Sequence, residues 1–368
     1  MEFLRSSFRG TLLGALLGDC VGLNFEGSAK VPFSVLNKHL FRFQSLSTVL
    51  PYSDDSALTL ALSEALIESK FSSQPDCVNI AKSFREHFNR NPDRGYGAGA
   101  SELLPQLLSN KQEDPFFEAS LMFDGTGSYG NGAAMRVSPV ALFSQSFEDC
   151  RHYAAMQAKL THAHILGIHG SVLQAVAVKC ALNQNGVKDL DKVKFLDLLI
   201  DQMKLVETED SVKTRTDSFV CYYLNILETI KHLVLKFEGH ALDATKMATL
   251  RTELGNEISA HRSVPLAIFM FLFTLHQPIT VENGVTGTKE QLPPLCNSIL
   301  HCIAMGGDTD TIASMCGAIC GAYYGSEPDQ IPPAWIKACE ANEQFIQIAD
   351  KIYELRSQVD VKVEPANP

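Results

Sequence analysis

The spacing of apolar residues constrains the fold of this chain more than any other feature of its sequence. Early in the chain Leu13, Leu16 and Leu17 recur at intervals of three and four positions, which places them on one face of a helix. Similar spacing returns along most of the chain, and no stretch alternates apolar and polar residues over the length of a strand. The sequence therefore predicts an all-α fold of roughly a dozen helices.

The predicted helical segments are separated only by short interruptions. Helices are predicted over residues 8–21, 55–70, 77–89, 99–108, 133–143, 147–161, 164–183, 190–206, 211–235, 242–258, 264–276, 295–305, 308–323 and 333–355. The main interruptions are residues 27–51, 91–99, 123–132 and 277–294, and none is a long Gly/Ser-rich or charged linker. We therefore predict a single domain over residues 1–356. Residues 357–368 lack a helical stripe and are predicted to form a frayed tail.

The charge and composition exclude several classes of function. The formal net charge is −11 at pH 7, and no run of Lys or Arg could follow a phosphate backbone, which argues against direct DNA binding. No uncharged apolar stretch is long enough to span a membrane, and the first residues lack the apolar core of a signal peptide. The 10 cysteines form no CxxC pair and mostly lie in apolar segments, which indicates buried reduced thiols. We expect a soluble intracellular protein.

Two short acidic motifs stand at predicted helix starts. Residues 53–56 read Ser-Asp-Asp-Ser, and residues 306–311 read Gly-Gly-Asp-Thr-Asp-Thr. Either motif alone is explained by helix capping, but one carboxylate suffices for a cap, and clustering more of them costs energy unless a cation compensates. Carboxylates and hydroxyls suit Mg²⁺ or Mn²⁺ and do not suit Zn²⁺. We expect the two motifs to meet and to hold two ions.

A glycine-rich stretch over residues 125–130 has the spacing GxGxxG. A dinucleotide-binding fold would place this motif after a strand and within a βαβ unit, and the preceding residues have little strand character. The motif can still bind an anion, since successive glycine amides before a helix can cradle a diphosphate. A plain flexible turn is the alternative interpretation, and the sequence leaves both open.

The first predicted helix carries an unexpected acid. Gly14, Gly18 and Gly22 recur every four positions, which indicates close packing against another helix. Asp19 lies within the same apolar segment, and a buried carboxylate needs partners. Glu26 follows in a loop, where an exposed carboxylate is the ordinary interpretation.

A pair of histidines, His162 and His164, follows the helix predicted over residues 147–161. Residues two positions apart face different sides of a helix, which argues against a joint zinc site. One of the two can hydrogen-bond a ligand, and a structural role is the alternative.

Taken in order, these motifs resemble the ADP-ribosylhydrolase family over nearly the whole chain. The resemblance is carried by Gly-Ala-Leu-Leu-Gly-Asp, Ser-Asp-Asp-Ser, Gly-Ser-Tyr-Gly-Asn-Gly-Ala-Ala-Met-Arg, Leu-Thr-His and Gly-Gly-Asp-Thr-Asp-Thr. Residues 91–99 and 263–265 resemble most closely the branch that cleaves serine-linked ADP-ribose and poly(ADP-ribose). The family commonly has Thr-Asp-Asp-Thr at residues 53–56, and the serines here retain both hydroxyls.

The resemblance implies a single orthogonal bundle of helices with two Mg²⁺ ions, for which Mn²⁺ can substitute. It assigns the metal ligands to Ser53, Asp54, Asp55, Asp308, Asp310 and Thr311. It assigns catalysis to Glu26 on a mobile loop. It assigns the diphosphate loop to Gly127, Ser128, Tyr129, Gly130 and Asn131 with His162 nearby, and the surroundings of adenine and its ribose to Phe123, Tyr129 and Ile258.

The implied activity is hydrolysis of the anomeric bond that joins ADP-ribose to serine or to another ribose. The implied partners are ADP-ribosylated proteins and poly(ADP-ribose), with ADP-ribose as the product, no membrane, and a monomeric enzyme. We expect it in the nucleus and cytoplasm, and the short stretch before the first helix argues against mitochondrial import. An arginine-specific ADP-ribosylhydrolase and a non-catalytic ADP-ribose-binding or structural protein on the same fold are the alternatives.

Overall fold

The described part of the chain is predominantly helical, with 71% of residues in helices, which confirms the predicted all-α fold. The computed structural model describes residues 2–40, 49–70, 74–110, 114–213, 221–275, 280–282 and 289–363. Its α-helices there are α1 Glu2–Gly22, α2 Phe33–Leu40, α3 Asp54–Ser69, α4 Cys77–Arg90, α5 Ala98–Leu103, α6 Phe117–Leu121, α7 Gly132–Met135, α8 Ser138–Phe143, α9 Phe147–Lys159, α10 Ile165–Asn183, α11 Lys192–Lys213, α12 Tyr222–Phe237, α13 Ala244–Glu253, α14 Ala260–Thr274, α15 Pro294–Ala304, α16 Thr309–Tyr324, α17 Pro333–Ala338 and α18 Asn342–Val363. Short 3-10 helices follow α1 and α5 at Leu23–Phe25 and Leu104–Gln106.

Several predicted boundaries are wrong. The segment over residues 333–355 is two helices, because Ala341 has φ 60° and ends the helical path between α17 and α18. The tail predicted to fray from residue 357 is helical through Val363, since extending a formed helix costs less than starting one. The interruption over residues 277–294 contains an antiparallel pair of strands, β1 Thr280–Glu282 and β2 Lys289–Gln291. The spacing of apolar residues did not indicate these strands.

Helix α1 packs against α16 with almost no side chain between the two backbones. A Cβ built at Gly14 would lie 2.1 Å from the Gly317 carbonyl oxygen, and one built at Gly18 would lie 2.2 Å from that of Ala313. We call this contact the α1–α16 interface; it comprises Gly10, Gly14, Gly18 and Gly22 against Asp310, Ala313, Gly317 and Gly321. The close packing predicted from the glycine spacing is confirmed, and it brings the end of α1 to the start of α16.

Helix α10 runs through the middle of the bundle and is mostly apolar. It is the one helix in the described ranges that is long and apolar enough to cross a membrane, and 89% of its 18-residue apolar window is buried inside the protein. A helix buried on nearly all sides is the expected core of a large domain. All 10 cysteines are free, and nine of them are buried, as the sequence predicted.

Candidate active site

The double glycine before α16 is the point where two distant loops meet. Gly306 and Gly307 have φ values of 70° and 78°, a region that favours glycine. The Gly307 amide donates to the Ser28 carbonyl at 2.8 Å, and the Gly27 amide donates to the Gly307 carbonyl at 2.9 Å. These two hydrogen bonds fix the turn that carries Glu26 beside the start of α16.

An acidic cluster results. Carboxylate oxygens of Glu26, Asp308 and Asp310 lie within 4.8 Å of one another. The Thr311 hydroxyl donates to Asp55 Oδ1 at 3.3 Å, which joins the second acidic motif to the first across 256 positions of sequence. Asp55 Oδ2 is buried and has no hydrogen-bond partner within the described residues. An orphaned carboxylate oxygen among other oxygen donors fits a hard divalent cation.

The electrostatics of the cluster support this fit. Burial, and then the charge of Asp19, raises the pKa of Asp54 to about 8. Burial, and then Asp308, raises the pKa of Asp310 to about 10, and burial with Asp19 places the pKa of Asp55 well above its ordinary value. The cause throughout is unbalanced negative charge away from water, so a bound cation is what would keep these groups ionised.

Asp19, the unexpected acid of α1, caps helix α3. Its side chain is fully buried, and it accepts hydrogen bonds from the Ser53 amide at 3.0 and 3.1 Å and from the Ser56 amide at 3.1 Å. The Ser53 hydroxyl in turn accepts from the Asp55 amide at 3.2 Å. The capping interpretation of the first motif is therefore correct for Ser53, and Asp54 and Asp55 are left facing the cluster.

The cluster forms one end of a cavity of about 390 Å³, a size typical of ligand-binding sites. Of the predicted site residues, those that line it are Glu26, Asp54, Asp55, Phe123, Ser128, Gly130, Asn131, His162, Ile258, Asp308, Asp310 and Thr311. Ser53, Gly127 and Tyr129 are outside this lining. The structure thus brings the acidic motifs and the glycine-rich loop into one space.

The glycine-rich loop is held by backbone pairing and by close contact. The Asn131 amide donates to the Ile258 carbonyl and the Ala260 amide donates to the Tyr129 carbonyl, both at 3.0 Å. Gly127, with φ 75°, is so close to the next segment that a Cβ there would lie 2.6 Å from the Ala163 Cβ. These contacts hold the loop against two neighbouring segments, which favours a built loop over a plain flexible turn.

Asn131 joins the glycine-rich loop to the acidic cluster. Its Nδ2 donates to Asp308 Oδ2 at 2.6 Å and to the Ser263 hydroxyl at 3.2 Å. This side chain, predicted only as part of the diphosphate loop, also orients a carboxylate of the acidic cluster.

The three side chains predicted to surround adenine and its ribose are exposed: Phe123 and Ile258, which line the cavity, by 57% and 71%, and Tyr129, outside the lining, by 53%. We call these three residues the rim. The Tyr129 ring meets His164 edge-on with 5.6 Å between ring centroids, and His261 at 5.9 Å. His164 also caps α10 through its Nδ1, which accepts from the Leu166 amide at 3.1 Å. Of the two histidines, His162 faces the cavity and His164 is structural.

Some of the cavity lining was not predicted. The segment of small residues Gly95, Gly97, Ala98 and Gly99 forms one wall, and its three glycines were the available signal. Arg136 and Thr161 also line the cavity. Both lie in motifs that carry the family resemblance, but neither was assigned a role in the site from the sequence.

Comparison with known proteins identifies the family. A family model described as ADP-ribosylglycohydrolase matches residues 1–361. The chain belongs to this family. It is 39% identical over 358 residues to ADP-ribosylhydrolase ARH3 of Xenopus tropicalis, covering 95% of each chain. It is 36% identical over 363 residues to ADP-ribosylhydrolase ARH3 of Homo sapiens, covering 95% of this chain and 93% of that one.

A solved structure titled ADP-ribosylglycohydrolase-related protein complex shares the fold. Its TM-score is 0.63 at 19% identity, with 96% of this chain and 99% of that chain covered. The family resemblance predicted from the motifs is confirmed. The protein is a glycosyl hydrolase that acts on ADP-ribosyl groups.

Proposed function

We propose that the protein releases ADP-ribose from serine-ADP-ribosylated proteins and cleaves the ribose–ribose bonds of poly(ADP-ribose). The observation that carries the proposal is the meeting of two acidic motifs in a cavity that the glycine-rich loop also lines. A ligand with vicinal hydroxyls and a diphosphate suits these two parts of the lining. Identities of 35–39% to the ARH3 proteins of several vertebrates support the serine and poly(ADP-ribose) specificity.

We propose that the acidic end holds two Mg²⁺ ions, with Mn²⁺ as a substitute. The residues that would hold them are Ser53, Asp54, Asp55, Asp308, Asp310 and Thr311, all of them oxygen donors. The orphaned Asp55 Oδ2 supports this assignment. When bound, the ions supply Lewis-acid stabilisation and orient the ribose hydroxyls.

Glu26 is proposed as the proton donor and acceptor. It stands on an exposed turn beside Asp308 and Asp310, where it can reach a leaving oxygen that enters from solvent. Burial, then Asp308, then Asp19 raise the pKa of Glu26, which favours the protonated form that a general acid needs. Departure of a serine or ribose oxygen requires such a donor, since the transition state is oxocarbenium-like.

The glycine-rich loop is proposed to bind the diphosphate through its backbone amides, with the rim residues against adenine and its ribose. An open rim suits substrates that are large, such as ADP-ribosylated proteins and poly(ADP-ribose). A monomeric state and a location in the nucleus and cytoplasm stay predictions.

The test is release of ADP-ribose from matched serine-linked and arginine-linked peptides and from poly(ADP-ribose), each with and without Mg²⁺. We expect Mg²⁺-dependent release from the serine-linked peptide and from the polymer. Release from the arginine-linked peptide alone would assign the protein to the arginine-specific activity. Binding of ADP-ribose without release from any substrate would contradict the enzymatic proposal.

A further inference from the structure

Arg136 is a buried cation without an ionic partner. The residue is 1% exposed, and none of the carboxylates in the described ranges forms an ion pair with it. Its Nε donates to Gln157 Oε1 at 2.8 Å, one Nη donates to the Gln157 carbonyl at 3.1 Å, and its guanidinium lies 4.3 Å from the centroid of the Phe84 ring. A buried charge is costly unless it is paired or its donors are hydrogen-bonded, so these hydrogen bonds must compensate for the missing carboxylate.

Gln157, which accepts from this guanidinium, is itself held in place by hydrogen bonds from its amide nitrogen. The Gln157 amide nitrogen donates to the Ala133 carbonyl at 3.0 Å and to the Ser171 hydroxyl at 2.7 Å. The Ala133 carbonyl can only accept, so the amide end that faces it is the nitrogen, and Gln157 presents its oxygen to Arg136 as an acceptor. The network ties α7, α9 and α10 together directly beneath the glycine-rich loop.

Arg136 has one further hydrogen bond, and it leads to the cavity. The Nη that contacts Gln157 also donates to the Thr161 hydroxyl oxygen at 2.7 Å, and the same oxygen lies 2.7 Å from His162 Nδ1. Arginine can only donate, so the Thr161 oxygen must accept from it. Within the described residues the Thr161 hydrogen then has one acceptor, His162 Nδ1.

The direction of these bonds determines the tautomer of His162. If Nδ1 carried a proton, the Thr161 oxygen would receive two donors, and its own hydrogen would have no acceptor among the described residues. Nδ1 therefore accepts, and the imidazole proton is on Nε2. Nε2 points to the glycine-rich loop, since Cβ atoms built at Gly130 and Gly132 would lie 3.5 and 3.7 Å from it.

We propose that Arg136 and Thr161 are positioning residues that fix His162 as a neutral imidazole whose Nε2–H donates to an anionic group held by the glycine-rich loop. Given the proposed function, that group is the diphosphate of ADP-ribose, and on this point the inference rests on the proposed function. Burial, together with the charge of Arg136, lowers the pKa of His162 to about 3 and supports the neutral form. Without the hydrogen bond from Thr161, a neutral histidine populates both tautomers, and its Nε2 is a donor only part of the time.

The tautomer is tested on the full chain without metal or ligand. Long-range ¹H–¹⁵N spectra of ¹⁵N-histidine-labelled protein are recorded, and His162 is assigned from its absence in His162→Gln. We expect an unprotonated Nδ1 and a protonated Nε2 in the wild type, and Thr161→Val should move the two nitrogen shifts toward each other. A protonated Nδ1 in the wild type overturns the proposal whether or not any variant folds.

The consequence for binding is tested by calorimetry with ADP-ribose. Thr161→Val, which keeps the side-chain shape and removes the hydroxyl, should weaken binding about tenfold, the effect of one lost hydrogen bond to a charged group. Thr161→Ser keeps the hydroxyl and should restore wild-type affinity and shifts. Equal affinities of wild type and Thr161→Val overturn the positioning role. Absence of ADP-ribose binding by the wild type contradicts the proposed function instead. The NMR spectrum alone then decides whether Arg136 and Thr161 fix the tautomer of His162.

Discussion

The acidic cluster and the rim belong to the same cavity but are built in opposite ways. The cluster stands where the α1–α16 interface ends, and a Cβ built at Gly22 would lie 2.5 Å from the Asp310 Cα. The rim residues Phe123 and Ile258 are exposed by more than half. At the interface, backbone touches backbone and any added atom must displace a helix. At the rim, a side chain can be removed without moving anything else.

This difference indicates which side chains must be positioned precisely. Carboxylates that share ions and a reacting bond must be held to within fractions of an ångström, and contact between two helix backbones provides that. Adenine is far from the bond that is cleaved, so its contacts contribute affinity and tolerate change. Substitutions in the cluster and interface should therefore have large effects, and those at the rim small ones.

The largest effect is expected for Asp310→Asn. The substitution removes a carboxylate from the cluster and should lower kcat/KM on a serine-linked peptide about ten-thousandfold, or roughly 5 kcal/mol. Calorimetry should show that Mg²⁺ binding is lost as well. Asp329→Asn, which removes the same charge from an exposed position, is the matched control. Unchanged Mg²⁺ binding in Asp310→Asn would refute the ligand assignment.

The second-largest effect on activity is expected for Glu26→Gln. The amide has the shape of the carboxyl group but cannot transfer a proton, so we expect a loss of about a thousandfold in kcat. The affinity for ADP-ribose should change little, because the diphosphate loop and the rim are untouched. Near-normal turnover on a serine-linked peptide would show that Glu26 is not the acid or base.

Gly18→Ala tests the interface directly. The new Cβ would lie 2.2 Å from the Ala313 carbonyl oxygen and 2.5 Å from the Ser314 amide nitrogen, so the helices must separate. We expect the free energy of unfolding in urea to fall by about 3 kcal/mol. Gly97→Ala is the matched control, because no atom lies within 4 Å of its Cβ position. If the two variants were equally stable, the interface would be looser than described.

The pH dependence of Mg²⁺ binding tests whether the carboxylates of the acidic cluster are protonated in the metal-free protein. The raised pKa values of Asp54 and Asp310, about 8 and about 10, mean that both are largely protonated in the metal-free protein at neutral pH. Mg²⁺ binds the ionised form, so affinity should fall about tenfold for each pH unit lowered and each proton displaced, between about pH 8 and about pH 6. Calorimetry in buffers of different ionisation enthalpy measures the protons released. A pH-independent affinity would contradict this account.

Local sequence patterns predicted a large part of this arrangement. Apolar spacing indicated the helices, Gly14 and Gly18 indicated a close helix contact, and paired acids at helix starts indicated a cation site. Each of these signals lies within a few neighbouring positions, where helix geometry alone relates sequence to space.

What the sequence did not predict depends on contacts between distant segments. Asp19 was recognised as an acid in need of a partner, but its partners are amides more than 30 positions away at the start of α3. Arg136 and Thr161 lie in motifs of the family resemblance but were assigned no role, since their hydrogen-bond network forms only once α7, α9 and α10 are packed together. The pairing of β1 with β2 and the extension of α18 to Val363 were missed because short strands and helix extension leave weak periodic patterns.

The smallest effect is expected at the rim, for Phe123→Ala. The substitution removes an aromatic face that is 57% exposed, and the affinity for ADP-ribose should fall about fivefold, or roughly 1 kcal/mol. Alanine is chosen because Phe123 has φ 53°, and glycine would also relax the backbone. Leu121→Ala, at a 60% exposed position outside the cavity lining, is the matched control and should bind normally. Since kcat should be unchanged, a large loss of kcat in Phe123→Ala would show that rim and cluster are coupled.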